Sequence, residues 1–183
     1  MKRIQHIAAR LAGRPLFWIA FVGLLFGAPL ARGLRAGRPP RPPPVGPVLA
    51  PFTLRDDRGG ELSSDSLRGH AFVANLLCAH CVIEGPLAAE QMRALQHRAR
   101  NLGDALLLVS FSPDGDVAEL AAIRARRPSS HRWTLLAGAP PPVRQLFHDG
   151  AGLLLIDAQQ RIRGWYDAAD LDLLLRDASL LLN

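Results

Sequence analysis

Only one lysine, one tyrosine and two cysteines occur in the 183 residues, and no Asp or Glu stands anywhere in residues 1–41. Each scarcity excludes something. Cys78 and Cys81, three positions apart, are too local to staple a disulfide scaffold and fit redox or metal chemistry better. One lysine against 21 arginines reads as a coding bias towards Arg. The acid-free segment holds 8 Lys/Arg, which leaves 14 Arg against 16 Asp/Glu in residues 42–183. The formal net charge of +6 and the pI near 10.8 are thus properties of the leader. The remainder, near −2, offers little to nucleic acid, and no nucleic-acid partner is expected. There is no internal repeat, and no glycine loop of the kind that cradles a nucleotide phosphate. At 49% hydrophobic and 21% charged, the chain has the apolar content of one packed domain and is neither collagen, disordered nor a polytopic membrane protein.

The uncharged run over residues 16–31 (LFWIAFVGLLFGAPLA) follows a basic segment, 1–15, that carries Lys2, Arg3, Arg10 and Arg14. As a helix these 16 residues span roughly 24 Å, a little under the ~30 Å hydrocarbon layer. Ala31-Arg32-Gly33 is a poor cleavage site, so residues 16–34 are expected to be an uncleaved membrane anchor or signal-anchor. A cleaved signal peptide and an Arg-rich mitochondrial-type presequence are the alternatives. Residues 38–51 (RPPRPPPVGPVLAP) hold seven of the fifteen prolines. Such a run favours extended polyproline, and 35–51 is expected to be a spacer outside helix and sheet.

Residues 52–183 read as an α/β domain. Asp56-Asp57-Arg58-Gly59-Gly60 makes the turn of a small N-terminal β-hairpin. The apolar run over 71–77 predicts a central strand, with both cysteines just beyond it and a helix from about Pro86 to Asn101. The order repeats with a strand over 105–111, a helix over 116–126, a strand over 133–136 and a short helix opened by Pro140-Pro141-Pro142. Two strands around Ala158-Gln159-Gln160 are too close for a crossover and must form an antiparallel hairpin, followed by a helix over 168–182.

Several stretches carry a family likeness: Phe52-Thr53-Leu54 with its Asp/Gly turn, Leu67-Arg68-Gly69-His70 through Asn75, Leu108 through Ser112, Arg132 through Gly138, and Leu155-Ile156-Asp157 through Asp167. In these the chain resembles the Sco/SenC family of membrane-anchored, thioredoxin-fold copper chaperones for cytochrome c oxidase assembly. The resemblance implies a thioredoxin-like three-layer α/β/α sandwich on the periplasmic side of a bacterial cytoplasmic membrane. It also implies copper as cargo, and a cytochrome c oxidase subunit or another copper or thiol protein as partner. That family carries Cys-x-x-x-Cys-Pro after the strand and a His before the late hairpin. Aligned on Phe72-Val73-Ala74-Asn75, Cys81 takes the first cysteine position, Gly85 the second and Pro86 the proline. One thiolate is absent, so a cysteine introduced at position 85 is expected to strengthen copper binding. His148 is the candidate third ligand, displaced by one residue from the family spacing, which in a strand reverses the face unless Gly150 or Gly152 absorbs it in a bulge.

Cys81 is expected to be a thiolate favoured by the helix N-terminus and His80, competent for copper. Cys78 is its candidate partner in metal or redox work. Cys78-Ala79-His80-Cys81 also matches the bare C-x-x-C of thiol-disulfide oxidoreductases. Were residues 78–81 extended, their α-carbons would stand about 10 Å apart, beyond bridging, so no disulfide is expected between them. A non-catalytic assembly factor that lost its site is the third alternative. Peroxiredoxin chemistry and a zinc site lack their further residues.

Overall fold

Strand pairing follows the hydrophobic patterning closely. The computed structural model describes residues 42–81, 83–126, 131–147 and 152–182; the chain divides into Met1–Arg41, which lies outside the described residues, and Pro42–Asn183. In chain order the elements are β1 (Thr53–Asp56), β2 (Glu61–Ser63), β3 (Ala71–Leu76), α1 (Glu84–Arg98), β4 (Leu106–Ser112), α2 (Val117–Arg126), β5 (Trp133–Ala137), α3 (Pro141–Gln145), β6 (Leu153–Ile156), β7 (Ile162–Tyr166) and α4 (Leu171–Leu181). The strands form one mixed sheet in the order β2-β1-β5-β4-β3-β6-β7. Within it β3, β4 and β5 run parallel, and the remaining pairings are antiparallel.

Side chains that alternate along each central strand feed two separate cores. Val73, Leu108 and Leu135 face a cluster covered by Met92 and Leu95 of α1, Leu120 of α2 and Leu174 of α4. Phe72, Phe111 and Leu136 face the other, closed by Phe52, Leu67, Val143 of α3 and Phe147. Each fully buried Leu or Phe contributes about 2 kcal/mol over leaving it exposed. α1 and α2 share a face because the chain advances through β3, β4 and β5 in one direction by right-handed crossovers. After β5 it returns to the far side of β3. The sheet order therefore turns at β3, and the carboxyl end of that strand is where an open α/β sheet places its crevice.

One local outcome differs from expectation. Part of the Pro-rich run belongs to the sheet edge: Gly46 N–H donates to the Ile162 carbonyl at 2.8 Å, Ile162 N–H to the Pro47 carbonyl at 3.0 Å and Leu49 N–H to the Gln160 carbonyl at 2.8 Å, with Leu49 buried. Proline lacks a donor but keeps its carbonyl, so such a segment can cover the open edge of β7. At the β6–β7 hairpin the register shifts between Leu155 and Ile156, and Gly152 takes φ +124°, a conformation natural to glycine. Among the described residues no helix is long and apolar enough to cross a membrane. The expected anchor, 16–34, lies outside them.

Candidate functional site

The site begins where β3 leaves the sheet. Leu77 N–H donates to the Phe111 carbonyl at 2.8 Å, the last bond of the parallel ladder with β4. The chain then bends around a carboxylate from the next loop: Asp114 Oδ1 accepts the Ala79 amide at 3.1 Å and Oδ2 the His80 amide at 3.2 Å. The bend brings the α-carbons of Cys78 and Cys81 to 5.3 Å, and their sulfurs are joined in a disulfide. The expectation that this pair stays apart is thereby overturned. It assumed an extended step per residue, whereas the turn is shaped by a residue more than thirty positions away in sequence.

Asp114 is itself held by its surroundings. Ser112 Oγ donates to Oδ1 at 3.3 Å, and Gly115 lies so close to the cysteine turn that a β-carbon there would stand 2.9 Å from that of Ala79. Burial disfavours the Asp114 anion, but the amides of Ala79 and His80, its own amide and the field of His80 together prevail and hold its carboxyl below the ordinary value of 3.8. Cys78 Sγ sits 3.0 Å from Asp114 Oδ2. In the disulfide this sulfur carries no proton, so the approach is a contact and not a bond that it donates. His80 Nε2 is 3.1 Å from the Asp114 carbonyl and 3.5 Å from Glu119 Oε2. Glu119 in turn closes a reciprocal cap at the start of α2, where Glu119 N–H donates to Asp116 Oδ1 at 2.8 Å and Asp116 N–H to Glu119 Oε2 at 3.1 Å.

α1 starts at Glu84, with Ile83 as its cap residue, so Cys81 precedes the helix and does not sit in its first turn. Gly85 lies directly beneath the disulfide: a β-carbon there would be 2.1 Å from the Cys78 carbonyl oxygen. The family's second cysteine position is therefore closed to any side chain, and Gly85→Cys would break the turn before it could supply a thiolate. Behind the site a buried relay runs from Trp133 Nε1–H to Ser110 Oγ (2.9 Å), from Ser110 Oγ–H to Asn75 Oδ1 (2.6 Å) and from Asn75 Nδ2–H to the Ala88 carbonyl of α1 (3.1 Å).

Cavities flank the disulfide on both sides. One, of about 320 Å³, is lined by Leu77, Pro86, Ala89, Ile123 and Arg126 together with the cysteine turn. The other, of about 420 Å³, is lined by Leu76, Leu87, Ala88, Pro113, Glu84 and Asp114 beside the two cysteines.

Cys78 and Cys81 are thus brought together; His148 lies outside the described residues. Among the described residues, ligand atoms of Cys78, Cys81 and Asp114 all fall within 4.8 Å of one another, a set able to hold a metal once the sulfurs are reduced. Asp114 escaped the sequence reading. The available clue was topological: loops that follow adjacent parallel strands at their carboxyl ends meet, and Pro113-Asp114-Gly115 follows β4 as the cysteines follow β3.

No protein-family model and no curated protein matches the chain. Solved structures do. BsSco, described as a member of the Sco family of cytochrome c oxidase assembly proteins in which a disulfide switch was identified, is 20% identical, with 78% of this chain and 97% of that one covered at a TM-score of 0.66. A SCO1/SenC family lipoprotein from Bacillus anthracis is 21% identical over 74% and 95% of the two chains, with a TM-score of 0.63. ScoI of Bradyrhizobium japonicum, solved with copper bound, is 15% identical over 74% and 99%, with a TM-score of 0.59. What these likenesses share with the geometry above is the architecture: this chain has the thioredoxin-like α/β fold found in Sco/SenC proteins.

Proposed function

We propose that the chain is a Sco-like protein that works by reversible oxidation of Cys78 and Cys81, serving thiol redox maintenance or copper delivery in cytochrome c oxidase assembly. The observation that carries the reading is the disulfide at the carboxyl end of β3, between two cavities and against Asp114. In the oxidised state neither sulfur is a thiolate, so copper has no soft ligand. Two-electron reduction frees both sulfurs at once, and on loss of their protons to the metal Cys78, Cys81 and Asp114 form a compact donor set, with His148 as a proposed fourth contributor. Copper here is cargo, and the disulfide gates its binding. BsSco, with its disulfide switch, and ScoI, with its copper, support the two halves of this cycle. A non-catalytic assembly factor would have no use for a dithiol set at the crevice of the sheet.

Residues 16–34 are proposed to anchor the chain in the bacterial cytoplasmic membrane with the folded part in the periplasm, a compartment in which disulfides persist. The functional test is a redox and metal titration of the purified chain. Dithiothreitol should add two hydrogens by mass, reversibly; the reduced chain should bind one Cu(I) and the oxidised chain none. Cys78→Ser and Cys81→Ser should each abolish both behaviours. A chain that never forms the disulfide refutes the proposal, and a reversible disulfide without Cu(I) binding reduces it to thiol exchange alone.

A further inference from the structure

The two sides of the disulfide differ in charge. Glu84 and Asp114 line the larger cavity, whereas the smaller one has no carboxylate in its lining and holds Arg126 at its edge. His80 also borders the smaller cavity, but its Nε2 is engaged by the Asp114 carbonyl and by Glu119, so the cation left facing the cavity is Arg126. None of the described carboxylates forms an ion pair with Arg126. A volume of about 320 Å³, walled by Leu77, Ala89 and Ile123, suits a small ligand and not a polypeptide segment.

We infer that this cavity admits a low-molecular-weight thiol bearing a carboxylate, which Arg126 holds while the thiolate attacks the disulfide; the inference rests on the redox reading above and names its small-molecule reductant. Asp114 stands against Cys78 Sγ and repels an incoming anion, so attack falls on Cys81 Sγ. A bond forms between the small thiol's sulfur and Cys81, and the Cys81–Cys78 bond breaks. Its electron pair goes to Cys78, which takes up a proton. A second small thiolate attacks the mixed disulfide, leaves as the small-molecule disulfide and frees Cys81 as a thiolate. Two small thiols are oxidised by one electron each, and one protein disulfide is reduced.

The test compares 3-mercaptopropionate, 2-mercaptoethanol and cysteamine as reductants of the purified full chain. Rates are taken at equal thiolate concentration and divided by each thiol's rate with a small neutral disulfide. With attraction in one case and repulsion in the other, each of surface ion-pair strength, 3-mercaptopropionate should exceed cysteamine about tenfold at low salt, and the ratio should collapse in concentrated salt. Arg126→Gln should erase the preference and Arg126→Glu invert it; the 2-mercaptoethanol thiolate, a single anion, should slow less than 3-mercaptopropionate in both variants. The full chain carries a formal net charge of +6, so the loss of the preference on Arg126→Gln, and not the order alone, assigns it to Arg126. Faster reaction with cysteamine, or a preference that survives Arg126→Gln, overturns the inference and leaves the redox reading standing; a disulfide that no thiol reduces sinks the redox reading itself.

Discussion

A single carboxylate decides the shape of the cysteine turn. Asp114 accepts two successive amides of the turn from a loop on another strand, and in the reduced chain, with the Cys78–Cys81 bond open, it is what opposes an extended stretch there. Because Asp114 is exposed, its contribution is modest: Asp114→Ala should cost about 1 kcal/mol, and Asp114→Asn, which keeps one acceptor oxygen, less. The sign of its pH dependence follows from the lowered carboxyl. A group whose folded value is depressed stabilises the fold above its unfolded value, and that stability is lost as pH falls through the folded one. Urea midpoints of the wild type and Asp114→Asn should therefore differ by a constant amount between pH 7 and pH 5 (roughly one to three units above a free carboxylate's pKa) and converge below the ordinary value of 3.8. A gap that widens in acid would show that the carboxylate is not stabilised as an anion.

Elements were legible in the sequence where their residues alone determine them. The continuous apolar runs of β3, β4 and β6, the Asp56 to Gly60 turn and the hairpin around Ala158-Gln159-Gln160 all fall where periodicity and turn chemistry put them. What was not legible depends on partners distant in sequence: the bend at Ala79 and His80, the docking of Gly46 and Leu49 on β7, and the closure of Gly85 beneath the Cys78 carbonyl. The buried relay belongs to this second kind. Ser110, wholly buried, links β5 to β3 and, through Asn75, to α1 just beyond the site. Ser110→Ala leaves Trp133 Nε1–H without its acceptor and Asn75 Oδ1 without its donor. It should destabilise the domain by about 1–3 kcal/mol, read from urea unfolding. Asn75→Leu in the same background should cost less than the two single changes added together, since both belong to one network. Simple additivity would mean that the relay does not act as a unit.

At the scale of the whole molecule, charge divides the chain into two unlike parts. All the basic excess lies in residues 1–41, and the folded part carries slightly more acid than base, so the leader and the domain suit opposite surroundings. A disulfide persists more readily where reducing pools are weak. Basic residues on both sides of the 16–31 run, four before it and Arg32, Arg35, Arg38 and Arg41 after it, leave the positive-inside rule undecided on orientation. We propose that the folded part lies outside the cytoplasm, where a disulfide between Cys78 and Cys81 would persist. Alkaline phosphatase, which needs oxidising conditions to fold, should accordingly be active when fused after Asn183 in a bacterial host, and a fusion that requires reduction should be silent. In the same cells Cys78 and Cys81 should be trapped mainly as the disulfide. Activity of the reduction-dependent fusion together with two free thiols would place the domain in the cytoplasm and deprive the proposed cycle of its oxidant.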